Sequence, residues 1–349
     1  MAGPSLYEDS SPPIPAQTDF LLKDKPYEGS GPRLSSRLHL VDQILNNQKV
    51  LQKQIHRLKP DFVLFANFSE YLAPLWANGL RKLSSSGVNF SAILHDPVRD
   101  YQVGPLWWHR WSIASAFSFL NVVFLHESAS VDTVRFFPHQ KFVPIPHGPF
   151  NYPQPDQSRM EVRESLNIPS RAPLFIIFGH IRDNKNINLA LEALSSNSEA
   201  HLLVAGSEAT AGNKPSGFYQ ELADSLGVQD HCHWLVQYLP NQFAANLISA
   251  SDFVLLPYSS TFKSASGVLN LAATYRKPVL ASAGEGNLKT KILDYQLGVF
   301  VEPDSAISLS EGIKEILSHE VKPDWNSYNR ENSWKRNAEL ISEALTTYT

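Results

Sequence analysis

Ser251 to Ser282 reads SDFVLLPYSSTFKSASGVLNLAATYRKPVLAS, and its alternation of apolar and polar runs decides the fold. Phe253-Val254-Leu255-Leu256-Pro257 is a short apolar run without polar alternation, closed by a proline, which suits a strand buried on both faces. A polar loop, Tyr258 to Ser264, follows. Ser266-Gly267 then opens a helical pattern through Val268-Leu269-Asn270-Leu271-Ala272-Ala273, and Lys277-Pro278 ends it ahead of a second buried strand, Val279-Leu280-Ala281. A helix that starts at Ser-Gly after a parallel strand presents free backbone N–H groups and the positive end of its dipole, a natural anion site. An ordinary βαβ unit with a serine cap is the alternative reading of the same residues.

The same grammar extends outward. Upstream of residue 150, the apolar runs Asp61 to Ala66, Phe90 to Leu94, Val122 to Leu125 and Phe142-Val143 alternate with helical patterns at Leu38 to Leu58, Tyr71 to Leu83, Trp107 to Phe119 and Ala129 to Phe136. Downstream, strands are expected at Leu174 to Phe178, His201 to Ala205, His233 to Leu235 and Val299 to Val301. The intervening helices are expected at Ile187 to Ser195, Gly217 to Leu226, Gln242 to Ser249 and Leu309 to Leu317. Alternating α and β with unalternating strands predicts α/β architecture: parallel sheets with helices on both faces.

With 349 residues the chain suits two such domains. The boundaries expected are 1–150 for the first, a proline-rich linker at 151–171, a second domain at 172–320 and a C-terminal helix at 321–349 that packs back on the first. Met1 to Arg37 has the composition of a loop, and no strand pattern appears before Asp61. The first domain is therefore expected to lack an upstream strand–loop–helix unit, with an extended N-terminal arm as the alternative.

Composition narrows the function. A formal charge of −4 argues against nucleic acid held on a broad basic face. The single cysteine, Cys232, permits no internal disulfide and no cysteine-cluster metal site, and points to a reducing, cytoplasmic setting. The apolar run Ser112 to Leu125 falls short of the ~20 residues that a spanning helix needs.

A second motif strengthens the anion-site reading. Phe178-Gly179-His180-Ile181-Arg182-Asp183-Asn184-Lys185 places a basic loop at the carboxyl end of a predicted parallel strand, where open α/β sheets bind ligands. Arg182 as a fork and Lys185 as a point charge would meet a diphosphate from the side opposite Ser266-Gly267.

Gly179 with Lys185, Tyr238-Leu239-Pro240, Asp252 to Pro257, and Ser266-Gly267 with Lys277-Pro278-Val279 occur in an order that resembles the nucleotide-sugar half of GT-B glycosyltransferases. The group-one, family-four-like set is the nearest pattern. The resemblance implies two Rossmann-like domains facing across a cleft and a UDP- or GDP-sugar as co-substrate, with no further cofactor. It implies donor contacts at Gly179, Arg182, Lys185, Tyr238, Leu239, Ser264, Ser266, Gly267 and Glu285, with Lys185, Ser266 and Gly267 at the diphosphate and Tyr238-Leu239 at the base. His95, Asp96 and His147 fall at strand ends where the family places acceptor and catalytic groups. Many retaining members carry two glutamates eight positions apart, and the matching positions here are Lys263 and Leu271. The stereochemical outcome is therefore left open. The histidines form no close ligand set, and no metal is inferred.

An inverting transfer needs stabilisation of the leaving diphosphate and a base at the acceptor hydroxyl. Arg182, Lys185 and the Ser266 terminus suit the first need, and Asp96 or His95, then His147, the second. The expected activity is hexose transfer from a nucleotide diphosphate sugar to a glycan or lipid-linked saccharide acceptor. A sugar-nucleotide epimerase of the same fold, and a non-catalytic sugar-nucleotide or glycan binder, remain alternatives. Trp107-Trp108-His109-Arg110-Trp111 fits either a helix lying at the inner face of a membrane or packing of a helix on its sheet.

Overall fold

In the computed structural model every strand pairing is parallel. The structure describes residues 2–3, 20–21, 33–66, 70–94, 104–126, 139–149, 152–209 and 212–347. The expected helix Ala129 to Phe136 lies outside these residues. By internal contacts the chain divides into two units: Met1–Leu125, Ser130–Pro144 and Ala344–Thr349 in one, His126–Ala129 and Ile145–Glu343 in the other.

The first unit begins with β1 (Ala2–Gly3), β2 (Phe20–Leu21) and α1 (Arg33–Leu58). It continues with β3 (Phe62–Phe65), α2 (Ala73–Ser85), β4 (Asn89–Leu94), α3 (Leu106–Phe117), β5 (Val122–Leu125) and β6 (Lys141–Pro144). Strands β3-β4-β5-β6 form one sheet in that order. Its core joins Phe90, Ala92 and Leu94 to Trp76 and Leu80 of α2 and Ile113 of α3.

Three expectations are corrected here. The N-terminal loop contains a two-stranded parallel pairing of β1 with β2, and α1 begins at Arg33 rather than Leu38. The strand at Asp61 was expected to be buried, yet β3 is one edge of the sheet and β6 the other, with Leu64 and Phe142 exposed. An apolar run does not distinguish an edge strand from a central one.

The second unit holds α4 (Arg159–Ser165), β7 (Leu174–Phe178), α5 (Ile187–Ser195), β8 (His201–Ala205), α6 (Ser216–Ser225), β9 (Cys232–Leu235) and α7 (Asn241–Ala250). After these come β10 (Phe253–Pro257), α8 (Gly267–Thr274), β11 (Val279–Ser282), α9 (Asn287–Asp294), β12 (Gly298–Phe300) and α10 (Ala306–Ser318). Two further helices, α11 (Trp325–Glu331) and α12 (Trp334–Thr346), stand where a single C-terminal helix was expected. Helix α9 carries three charged side chains and few apolar ones, which hid it from the sequence pattern.

The six-stranded sheet runs β12-β11-β10-β7-β8-β9. One face is covered by α7, α8, α9 and α11 through Leu247, Leu269, Ile292 and Tyr328, the other by α5, α6 and α10 through Leu191, Tyr219 and Ile313. The chain leaves β7 toward β8 and β9, then returns to pair β10 on β7's other side. The carboxyl ends of β7 and β10 therefore flank a topological switch point, the position where doubly wound sheets open a ligand crevice.

The stretch 151–171, expected as a linker, is built into this unit from residue 152 on. A reciprocal capping box, Ser158 with Glu161, starts α4. Buried Arg163 donates to the carbonyls of Ala250, Pro169, Ser170 and Ala172 and pairs with Asp252 at 2.7 Å. Asp252 in turn accepts from the Leu174 N–H at the start of β7. Removing one partner of such a buried pair costs ~3–5 kcal/mol, so the segment is bound in by more than its proline content suggests.

Candidate functional site

The loop after β7 is shaped by two glycines. Gly179 has φ +88°, in the left-handed region that glycine adopts without steric cost. Gly206, at the end of β8 with φ +151°, lies so close that a Cβ there would stand 2.3 Å from the Gly179 carbonyl oxygen. The loop is then hooked to its neighbour: Asp183 accepts from the Tyr219 hydroxyl at 2.8 Å and from the Lys214 N–H at 2.9 Å, and Ile181 bridges to Glu208. A short 3-10 turn, Asp183–Lys185, leads through Asn186 (φ 44°) into α5.

Lys185 points back beneath this loop. Its ammonium donates to the Phe178 carbonyl, and a Cβ on Gly179 would stand 3.4 Å from its Nζ. Burial, with the neighbouring Arg182 charge adding to it, pushes Lys185 down to about 7. The Arg182 side chain is exposed, and its carbonyl accepts from the Lys185 N–H at 3.1 Å. A poorly hydrated ammonium beside a second cation is a site that an anion would relieve.

The loop after β10 meets the first one. The Ser259 N–H donates to the Asn184 carbonyl at 2.9 Å, and Asp304 ties both loops by accepting from the Ser260 N–H and the Asn186 side chain. Tyr258 is buried, stacked on Phe262 with ring centres 3.9 Å apart, and its hydroxyl lies 3.0 Å from the Ser266 hydroxyl. Burial pushes the Tyr258 phenol up to about 12, against the opposing pulls of the Ser266 hydrogen bond and the Arg182 charge. Arg182, Tyr258 and Ser266 thus share one neighbourhood. Ser266 caps α8 by accepting from the Leu269 N–H at 3.3 Å, and Gly267 is the first helical residue. Ser264 lies half-buried on the loop before it.

The third loop, between β11 and α9, carries Glu285 exposed to solvent. Next to it, a Cβ on Gly284 would stand 1.9 Å from the Ser260 carbonyl oxygen, so this loop packs directly on the one after β10. The sequence expectations thus converge for Gly179, Arg182, Lys185, Ser264, Ser266 and Gly267, with Glu285 on an adjoining loop.

Other expected residues fall elsewhere. Tyr238 is 79% exposed, and its electrostatic neighbour is Tyr152, whose phenol burial and Tyr238 both push up. The Leu239 side chain is buried in the core with Leu247 and Leu256. Leu271 is likewise in that core, whereas Lys263 is exposed. His95 and Asp96 lie outside the described residues.

His147 belongs to a polar cluster inside the second unit. Its Nδ1 lies 2.6 Å from the Gly148 carbonyl oxygen and 3.2 Å from the Asn270 amide of α8, and its ring sits 4.9 Å from His126 and 5.1 Å from Trp334. The Tyr328 hydroxyl donates to Asn270, and Trp334 and Asn337 donate to the Pro149 and Pro146 carbonyls. Sequence reasoning missed Asn270, Tyr258 and Asp304. The signal for Asn270 was available, since it is the single amide in the apolar run Val268 to Ala273.

Residues 158–340 match the family model described as Glycosyl transferases group 1. Among curated protein sequences nothing matches the chain. A glycosyltransferase from Rickettsia africae ESF-5 is similar in structure, with 16% identity, 94% of this chain and 85% of that one covered, and a TM-score of 0.64. HepE from Anabaena, solved with UDP and glucose, gives 15%, 94%, 86% and 0.66 on the same measures. The lipopolysaccharide outer core galactosyltransferase WaaB in its apo form gives 14%, 95%, 84% and 0.60. At these identities the likeness is one of fold, the GT-B fold.

Proposed function

Because the chain belongs to the glycosyl transferases of group 1, we propose that it transfers a hexose from a UDP- or GDP-sugar to a glycan or lipid-linked saccharide, in polysaccharide or glycolipid assembly. The observation that carries this reading is the pairing of two anion-binding features at one switch point. The buried Lys185 and exposed Arg182 follow β7, and the Ser266-capped start of α8 follows β10. HepE was solved with UDP and with UDP-glucose, which supports a uridine donor as the first to try.

In this reading the protein's contribution is electrostatic. A leaving diphosphate gains charge as the glycosidic bond breaks, and preorganised donors aimed at it lower the barrier without reorganisation. Lys185 and Arg182 would hold one side, the free N–H groups at Gly267 and Val268 the other. Tyr238 would lie against the base, and Glu285 would reach sugar hydroxyls. The acceptor's base is assigned to Asp96 or His95, the residues next in sequence after β4, with His147 as third candidate. The setting proposed is the cytoplasm.

Product analysis tests this. Incubated with UDP-glucose or GDP-mannose and a saccharide acceptor, the protein should release the nucleoside diphosphate and form a glycoside. An epimerised donor would establish the epimerase reading instead, and an unchanged donor that nevertheless binds would establish a non-catalytic binder.

A further inference from the structure

We propose that the amino-terminal half of α3 is a docking surface for an anionic lipid bilayer, with Leu106, Trp107 and Trp111 entering the headgroup zone and Arg110 meeting lipid phosphates. The sequence of this helix is compatible with core packing or with a lipid interface, and the structure separates the two. Trp108 and Ser112 turn inward, both donating to the Tyr71 carbonyl, at 3.1 and 3.0 Å, and His109 is buried beside them. Trp107 and Trp111, four residues apart and hence on one helix face, are 65% and 51% exposed, and Leu106 is 47% exposed.

The exposed indoles are held, not loose. Trp107 and Trp111 stack with ring centres 6.4 Å apart, and Trp108 meets both edge-on at 5.8 and 5.4 Å. Two solvent-facing indoles braced edge-on by a third form an apolar patch of the kind that marks an interaction site. Trp is the residue most suited to the bilayer interface, where its ring and N–H share the headgroup region.

Charge selects lipid phosphate as the partner. The chain carries a formal charge of −4, yet α3 and its packing neighbour α2 contain no Asp or Glu and three cations, Arg81, Lys82 and Arg110. With its 12 residues α3 is too short to cross a membrane, and no described helix is long and apolar enough to do so. It would therefore lie in the interface plane, with Trp108, His109 and Ser112 holding it to the first unit. The inference does not depend on the identity of the donor or on catalysis.

Co-sedimentation with vesicles tests it on the full chain. The protein should pellet with vesicles of phosphatidylglycerol mixed with phosphatidylcholine and remain in solution with phosphatidylcholine alone. Trp107→Ala with Trp111→Ala should weaken partitioning by at least ~10-fold, and Arg110→Glu should weaken it most at low salt, with the difference from the native protein shrinking as salt rises. Brominated lipid should quench part of the native fluorescence, and this readout needs no variant to fold. Three results would overturn the proposal: no pelleting with phosphatidylglycerol, equal pelleting of the double variant, or concentration-dependent dimers abolished by the same substitutions without lipid binding.

Discussion

Donor affinity should fall as pH rises above neutrality, and Lys185 sets the size of the effect. In the free protein its ammonium is pushed down to about 7, first by burial and then by Arg182. A diphosphate placed beside it favours the charged form and moves the group back toward its ordinary value near 10.5. The complex then holds a proton that the free protein has partly lost, so binding takes up protons and weakens as they become scarce. Free Lys185 is about half protonated at pH 7 and about 1% protonated at pH 9, which corresponds to a ~50-fold loss of affinity, or about 2.3 kcal/mol. The second ionisation of a terminal phosphate, near pKa ~6, is mostly complete at pH 7, and what remains of it adds charge to UDP and opposes the fall only slightly. Calorimetry at pH 7, 8 and 9, in buffers of different ionisation enthalpy, reads the affinity and the proton uptake together. Lys185→Met should bind weakly and with a flat profile. A native affinity that stays constant from pH 7 to 9, with no proton uptake, would refute the reasoning.

Three further outcomes follow from the second unit. His201 and His233 are held below the ordinary imidazole range, by burial first, and His201 is pushed down to about 4. The unfolded chain therefore binds more protons between about pH 6.5 and 4, and stability is lost as pH falls through that window, by about 3 kcal/mol for His201 alone. Urea midpoints at pH 7 and 4.5 should show this drop, and His201→Phe should flatten it. Gly206→Ala would drive a Cβ onto the Gly179 carbonyl at a positive φ, costing roughly 1–3 kcal/mol and weakening UDP binding by displacing the loop above Lys185. Leu239→Ala should cost about 2–5 kcal/mol in a urea melt, whereas Tyr238→Ala should move stability by no more than ~0.5 kcal/mol and act instead on nucleotide affinity.

Much of the second unit was legible in the sequence because its signals are local. Strand β10 was read from Phe253 to Pro257 as it stands, and the Ser266 cap and Gly267 start of α8 follow from propensity alone. The loop of Arg182 and Lys185 was legible as a basic segment after an apolar strand. Its depth was not. Lys185 is buried beneath a loop on which Gly206 presses from the neighbouring strand, a contact between residues far apart in sequence. At Leu239 the motif gives a position along the chain, whereas the inward turn of the side chain is set by α7 packing on the sheet. The proline-rich 151–171 stretch misled because composition reports backbone stiffness and says nothing of Arg163, which joins the carbonyls of Pro169, Ser170 and Ala172 to the distant Ala250 and Asp252. Edge strand β3 read as buried because an apolar run does not encode strand order. The aromatic segment at Trp107 was legible as a choice between two roles, whereas the exposure of Trp107 and Trp111 was not.

The claim on which the account rests is that a diphosphate binds between the Lys185 loop and the start of α8. Calorimetric titration with UDP beside uridine, on the native protein and Lys185→Ala, tests it most directly. The account predicts that UDP binds at least ~100-fold more tightly than uridine, and that Lys185→Ala removes most of that difference while leaving uridine binding unchanged. Equal affinity for UDP and uridine, or a UDP preference that Lys185→Ala leaves intact, would contradict it.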